Sequence, residues 1–346
     1  MSRYAGYLPV NVITGFLGSG KTTLLKHLLE SPDMADTAVL INEFGEIGLD
    51  HHLLEQVDEN IVMLQSGCLC CTIRDDLATS MRDLWERRAA GEFAFRRLVV
   101  ETTGLADPAP IIYTLMADPV IRYHFRLGNI ITTIDAVNGL AQMNRQPESV
   151  KQAAVADRIV LTKTDLSDDD VPALRARLRD LNPAAPIFLA GEKLTAAKLL
   201  TNDLYDPKSK SREVAHWIDA EAFAAADHDH HRHDANRHDD HIHAFCLTFE
   251  RPIDWTAFGI WLTMLLQAHG ENVLRVKGLL NVKGMPAPVA IHGVQHVVHP
   301  PVHLKRWPDD DRRSRIVFIV RDLARGPIEA SLAAFNALAD DREAAA

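Results

Sequence analysis

The apolar positions of this chain fall into two regimes. Through Leu189, short unbroken apolar runs alternate with stretches of helical spacing. The runs Val10–Thr14, Thr37–Asn42, Ile61–Leu64, Arg97–Glu101, Asn129–Asp135 and Arg158–Thr162 read as buried strands, because a strand covered on both faces carries apolar residues without alternation. Between them, Thr22–Leu29 repeats Leu24, Leu25, Leu28 and Leu29 at helical spacing. Asp75–Ala90 sets Leu77, Met81, Leu84 and Trp85 on one stripe and Arg82, Asp83, Glu86 and Arg87 opposite. Strands and helices in alternation predict an α/β fold with a doubly wound, mainly parallel sheet, its ligand at the C-terminal edge of the strands.

From about Thr195 the periodicity weakens, and from Ala244 it changes character. Ala244–Glu250 alternates, with Phe245, Leu247 and Phe249 inward. Asp254–His269 is helical, with Asp254 as N-cap and Gly270 as stop. Strands are expected at Val273–Val282, Pro288–Val298 and Ser314–Val320, and a last helix near Pro327–Leu338. The order β-α-β-β-β-α predicts a small sheet backed by helices. The domains expected are 1–195, a variable linker at 196–242, and a smaller α+β domain at 243–346.

The turns between the first elements carry the chemistry. Gly15-Phe-Leu-Gly-Ser-Gly-Lys-Thr22 fills the pattern G-x-x-x-x-G-K-[ST] between a strand and a helix, which makes the first domain a P-loop NTPase. Gly15, Gly18 and Gly20 let the backbone N–H groups turn toward phosphates. Lys21 reaches the β- and γ-phosphates, Thr22 ligates Mg²⁺, and Ser19 and Thr23 complete the loop. Asn42 opens an acidic, glycine-punctuated loop in which Glu43 and Glu46 could reach Mg²⁺, a transferable metal or an attacking water. A solvated turn is the plainer reading. Glu101 closes a strand ahead of Thr102-Thr103-Gly104, where an acid contacts Mg²⁺ or its waters and the Gly104 N–H meets the γ-phosphate. It could also simply end the strand. Thr162-Lys163-Thr164-Asp165 offers a carboxylate, Asp165, able to accept both N1–H and the exocyclic amine of guanine, which favours GTP over ATP. Lys163 can pack its stem over the ring.

Two clusters suit a transition metal. Cys68, Cys70 and Cys71 put three thiols in four positions. Such ligands fit Zn²⁺ or Cu(I) and leave one coordination position open for hand-over. A redox-active pair or buried structural thiols are the alternatives. The stretch Asp227–His243 holds seven of the protein's 17 histidines, His228, His230, His231 and His233 among them. It reads as a linker that gathers metal, or as a purely solvated acidic one. His292, His296, His299 and His303 are expected on strand faces or the surface rather than as ligands, and Cys246 as packed.

Composition narrows this further. With 346 residues and 47% hydrophobic content the chain can bury two cores, and a net charge of −10 argues against nucleic acid. The chain has neither an apolar leader nor a membrane-length apolar run, and its four cysteines make a poor disulfide framework, so a cytoplasmic protein is expected with no membrane partner.

Together, Gly-Phe-Leu-Gly-Ser-Gly-Lys-Thr-Thr, the Asn-Glu-Phe-Gly loop, Cys-Leu-Cys-Cys, Glu-Thr-Thr-Gly and Thr-Lys-Thr-Asp resemble the CobW-type GTPases, and the His-rich stretch and final domain are similar to that family's variable linker and C-terminal domain. The resemblance implies a GTP- and Mg²⁺-dependent metallochaperone for zinc, cobalt or another transition metal. Cys68, Cys70 and Cys71 would be ligands, Lys21 and Thr22 phosphate and Mg²⁺ contacts, and Lys163 and Asp165 base contacts. A client metalloprotein would be the partner, with a homodimer among the assemblies expected. Lys21, Glu43 and Glu101 are the catalytic candidates, and Glu46, Thr22 and Glu101 join the metal set. Thr162 departs from the Asn common at its position. A passive zinc buffer, a small-molecule P-loop kinase and a redox protein are the rival readings.

Overall fold

The structure is a computed structural model that describes residues 7–42, 61–64, 72–92, 94–105, 108–166, 171–192, 194–201 and 242–344. The chain divides into two compact units.

Among the described residues the first unit holds seven strands: β1 (Leu8–Gly15), β2 (Thr37–Asn42), β3 (Ile61–Leu64), β4 (Arg97–Glu101), β5 (Phe125–Asp135), β6 (Arg158–Thr162) and β7 (Ile187–Leu189). Their order is β3-β2-β4-β1-β5-β6-β7, and every pairing is parallel. The winding therefore reverses at β1. Strands β2 to β4 lie on one side of it and β5 to β7 on the other, which opens a crevice at the carboxyl ends of the central strands. Helices α1 (Lys21–Leu29), α2 (Thr72–Ala89), α3 (Ala109–Ala117), α4 (Ile121–His124), α5 (Gly139–Arg145), α6 (Pro147–Ala154) and α7 (Val171–Leu181) occupy the connections.

Burial on both faces explains the unbroken apolar runs. Val10, Val12, Ile13, Leu98, Val99, Val100, Ile159, Val160 and Leu161 are all buried. Helix α1 turns Leu24, Leu25 and Leu28 into a core with Ile13, Val39, Val99 and Val160, each buried leucine contributing about 2 kcal/mol. Ala196, Leu199 and Leu200 join the same core, so the first unit continues past 195 to at least 201.

Strand β5 begins at Phe125, four residues before the apolar run suggested. The reason is a bulge. Pairing with β1 shifts register between Val10 and Val12, and the Asn11 side chain fills the gap by accepting the Asn129 N–H at 2.9 Å. A Cβ on Gly128 would lie 2.6 Å from that Asn11 oxygen, so the close approach requires glycine there.

The second unit runs β8 (Ile242–Phe249), α8 (Trp255–His269), β9 (Val273–Leu280), β10 (Val289–Val294), β11 (Val297–Val298), β12 (Val302–His303), β13 (Ser314–Arg321) and α9 (Arg325–Ala344). Its strands form an antiparallel sheet in the order β11-β10-β9-β13-β8, with β12 also on β10. Phe245, Leu247, Val276, Ile291, Ile316 and Phe318 pack against Phe258, Trp261, Leu262 and Leu265 of α8 and Ile328 and Leu332 of α9. Asp254 caps α8, its Oδ1 accepting the Ala257 N–H at 2.8 Å. Gly270 does end that helix, but in right-handed conformation at φ −59°. It is small for room, since a Cβ there would meet Leu266 O at 2.5 Å and His296 Cβ at 2.9 Å. The single strand expected at Pro288–Val298 is broken by a turn at Gln295, φ 50°, into β10 and β11. Among the described residues, no helix is long and apolar enough to cross a membrane.

Candidate functional site

The site is assembled from the carboxyl ends of four adjacent strands, β4, β1, β5 and β6. After β1 the chain must turn directly into α1, and Gly15, Gly18 and Gly20 do so at φ values of 147°, 74° and 85°. Gly20 is the N-cap of α1 in left-handed conformation, with no side-chain cap and no acid in the first turn. The helix thus presents bare N–H groups and the positive end of its dipole to the crevice, as an anion site requires.

Neighbouring strands brace the loop. Thr133 on β5 places its Oγ1 2.7 Å from Ser19 Oγ and donates to Thr14 O at 3.3 Å. Thr162 at the end of β6 donates its Oγ1–H to Ser19 O at 2.8 Å and approaches Ile134 O at 3.3 Å. Lys21 is 8% exposed, and its Nζ donates to Phe16 O at 3.4 Å, so the ammonium lies back over the loop it follows. Thr23, beside it, is exposed on α1.

Glu101 ends β4 next to β1, pairing with Ile13 two residues before the loop. It is buried, and its Oε1 accepts a 2.6 Å hydrogen bond from Thr22 Oγ1. These are hard oxygen donors of the kind Mg²⁺ takes, and they meet at the phosphate end of the crevice, so the residues present fit that ion. Thr102 continues the β4 pairing, its N–H donating to Ile13 O at 2.9 Å and its Oγ1 reaching Thr14 Oγ1 at 2.9 Å. Gly104 then runs against the P-loop. A Cβ there would stand 2.6 Å from Leu17 Cα. Its carbonyl accepts from Gln152 Nε2 of α6 at 3.4 Å, and Gln152 is itself moored by Thr132 Oγ1 on its main-chain oxygen at 2.8 Å.

On the other side, Asp165 is exposed two residues beyond Lys163, in the turn that follows β6. Lys163 takes a left-handed φ of 55° and sends its ammonium to Asp135 Oδ2 at 2.6 Å. Asp135 is 2% exposed; it also accepts the N–H groups of Val137 and Asn138 at 2.8 and 3.1 Å and the Asn138 amide at 3.2 Å. Burial acts to raise its pKa, but the hydrogen bonds from Lys163 and Asn138 outweigh it and hold the carboxyl below its ordinary value.

The structure therefore brings together Gly15, Gly18, Ser19, Gly20, Lys21, Thr22, Glu101, Gly104, Thr162, Lys163 and Asp165. Glu43, Glu46, Cys68, Cys70, Cys71, His228, His230, His231 and His233 lie outside the described residues. Among the described residues no group of three or more His, Cys, Asp or Glu side chains could hold a metal. His292 and His299 are both buried and stack on each other, ring centroids 4.0 Å apart. Sequence reasoning passed over Thr133, Gln152 and Asp135. Asp135 carried a signal, since it closes a buried strand as Glu101 does; Gln152 carried none.

The chain matches two family models: the CobW/HypB/UreG nucleotide-binding domain over residues 9–189 and the cobalamin synthesis protein cobW C-terminal domain over residues 242–336. It is 32% identical over 330 residues to the zinc chaperone YjiA of Escherichia coli (strain K12), covering 94% of this chain and 98% of that one. It is 29% identical over 302 residues to the zinc-regulated GTPase metalloprotein activator 1 of Schizosaccharomyces pombe, covering 79% and 72%. The crystal structure of Zn(II)-bound YjiA GTPase from E. coli superposes with a TM-score of 0.67 at 27% identity, over 95% of this chain and 99% of that one. With its P-loop unit and its antiparallel unit each matched, the chain belongs to the CobW/HypB/UreG family.

Proposed function

We propose that this chain binds and hydrolyses GTP, and couples that cycle to handing a transition metal, zinc before cobalt, to a client metalloprotein. The observation that carries the nucleotide half is the meeting of Thr22 and Glu101 beside the P-loop, with Asp165 presented at the same strand edge. The metal half draws its support from relatives named zinc chaperone and zinc-regulated GTPase metalloprotein activator, and from the three clustered thiols of Cys68, Cys70 and Cys71.

Each residue has a defined task in this reading. The N–H groups of Gly18 to Thr22 receive the phosphate oxygens, and Lys21 swings from Phe16 O to neutralise charge that develops on the γ-phosphate. Thr22, with Glu101 behind it, would hold Mg²⁺, which would supply charge neutralisation at the phosphates. Gly104 offers its N–H to the γ-phosphate, and Gln152 anchors that residue by donating to its carbonyl oxygen. Asp165 accepts the two donors of guanine that adenine lacks. Water is the attacking group, with Glu43 in the loop after Asn42 to position it, and Glu46 with the thiols of Cys68, Cys70 and Cys71 connects that loop to the metal. The cluster at His228, His230, His231 and His233 raises the local metal concentration as a tether does.

Phosphate release from GTP and from ATP, with Mg²⁺ present, tests the nucleotide half. The reading expects slow turnover of GTP and at least about tenfold less of ATP, about 1.4 kcal/mol of discrimination. Equal turnover of both, or phosphate transfer to a metabolite instead of water, overturns it.

A further inference from the structure

The base-reading loop contains one residue whose conformation needs an explanation. Lys163 lies at φ 55°, a left-handed region that is unfavourable for a residue with a Cβ and persists where the surroundings over-determine it. They do so here. Before it, Thr162 is sewn to the P-loop at Ser19 O and to β5 through Ile134 O, while the Ala136 N–H donates to Thr162 O at 2.9 Å. After it, the Leu166 N–H closes a turn on Lys163 O at 3.1 Å. The side chain is held from a third direction by Asp135, at 2.6 Å.

Asp135 is suited to be a fixed point. Its side chain is 2% exposed, against 37% for that of Lys163, so the buried partner is the anchor and the half-exposed lysine is the part being held. Its other acceptor positions are taken by Val137 and Asn138, which lock its rotamer independently of the lysine. With the ammonium pinned, the aliphatic stem of Lys163 becomes a rigid apolar shelf. The turn that follows can then aim Asp165, two residues on, in one direction. None of the chemistry at the phosphates uses this carboxylate.

We propose that Asp135 is a positioning residue for guanine recognition: through its ion pair with Lys163 it fixes the loop that presents the Lys163 stem to the face of the base and Asp165 to its edge. The inference rests on the GTPase reading above, and it adds a specificity residue from a strand outside the base-reading tetrapeptide.

The test is Asp135→Asn in the full chain, with Lys163→Met and the double variant. The asparagine oxygen still accepts the Val137 and Asn138 N–H groups, so the turn is preserved while the charge that holds Lys163 is removed. Equilibrium binding of fluorescent GTP and ATP analogues, steady-state GTP hydrolysis and the urea unfolding midpoint are read together. Wild-type protein that binds no guanine nucleotide refutes the GTPase reading itself. Given binding, Asp135→Asn is expected to weaken GTP at least about tenfold, to lower the GTP-to-ATP preference by a similar factor, and to raise KM while kcat falls less than about twofold. Lys163→Met should do the same, and the double variant should be no worse than either, as two residues acting through one contact require. GTP affinity equal to wild type, equal losses for GTP and ATP, or losses that add in the double variant would overturn the proposal. If Asp135→Asn does not fold, Lys163→Met alone decides: undiminished guanine preference in that variant refutes it.

Discussion

Thr22 Oγ1 donates a 2.6 Å hydrogen bond to Glu101 Oε1, joining the first turn of the P-loop helix to the end of the neighbouring strand. The hydroxyl hydrogen is committed to Glu101 while the oxygen lone pairs of Thr22 stay available, so the two side chains would hold Mg²⁺ or its waters together.

Glu101→Gln should therefore separate folding from catalysis. The amide oxygen can still accept from Thr22, and the fold is retained, while the negative charge is gone. Phosphate-release assays should show kcat for GTP lowered by about 10²–10³, the range found when one transition-state group is removed, with nucleotide binding in EDTA nearly unchanged. Undiminished turnover would mean that Glu101 only ends a strand.

Gly104→Ala tests the close approach of the two loops. An added Cβ would lie 2.6 Å from Leu17 Cα and 2.7 Å from Leu17 N, backbone atoms that cannot swing aside. Overpacking of this kind costs about 1–3 kcal/mol, and here it also displaces the peptide that Gln152 orients. GTP hydrolysis should fall more than GDP affinity does, measured side by side on the same preparation.

Thr162→Val removes a hydroxyl and keeps the shape. Ser19 O, buried in the P-loop turn, then loses a 2.8 Å donor, and a loss of about 1–3 kcal/mol is expected in urea unfolding of the first unit. A variant as stable as wild type would show that water or another donor replaces the hydroxyl without cost.

The strand ends and the P-loop were legible because burial on both faces leaves long apolar runs, and because a phosphate cradle needs glycine, lysine and threonine at fixed offsets. Thr37–Asn42, Ile61–Leu64, Arg97–Glu101 and Arg158–Thr162 are found where that logic puts them. What the sequence concealed depends on neighbours distant in the chain. The early start of β5 needs Asn11, 118 residues from the Asn129 it bridges. Gly270 ends its helix as expected, but its need to be small depends on Leu266 and His296, which local spacing does not reveal. Asp135 and Gln152 act on residues contributed by other elements, Lys163 and Gly104, so no local spacing could announce them.

In the second unit, Asp311 gives a pH dependence with a definite sign. Hydrogen bonding from Arg313, helped by Arg315, outweighs desolvation and holds its carboxyl down to about 2, against 3.8 unperturbed. A depressed folded-state pKa contributes stability that is fully present above the unfolded value and is lost as pH falls through the folded one. Urea midpoints followed from about pH 4 down to about pH 2 should decline in the wild type and decline less steeply in Asp311→Asn. Parallel profiles would remove Asp311 from the acid response.

If the GTP cycle drives metal hand-over, nucleotide state must control metal affinity. A competition titration of Zn²⁺ against a chromophoric chelator, on metal-free protein loaded in turn with GTP·Mg²⁺, GDP·Mg²⁺ or neither, measures this directly, with Cys68→Ser as the control that locates the site. Affinity is expected to be at least about tenfold weaker with GDP than with GTP, a coupling of about 1.4 kcal/mol, abolished in Cys68→Ser. Three coincident curves would contradict it and leave a GTPase carrying an independent metal store.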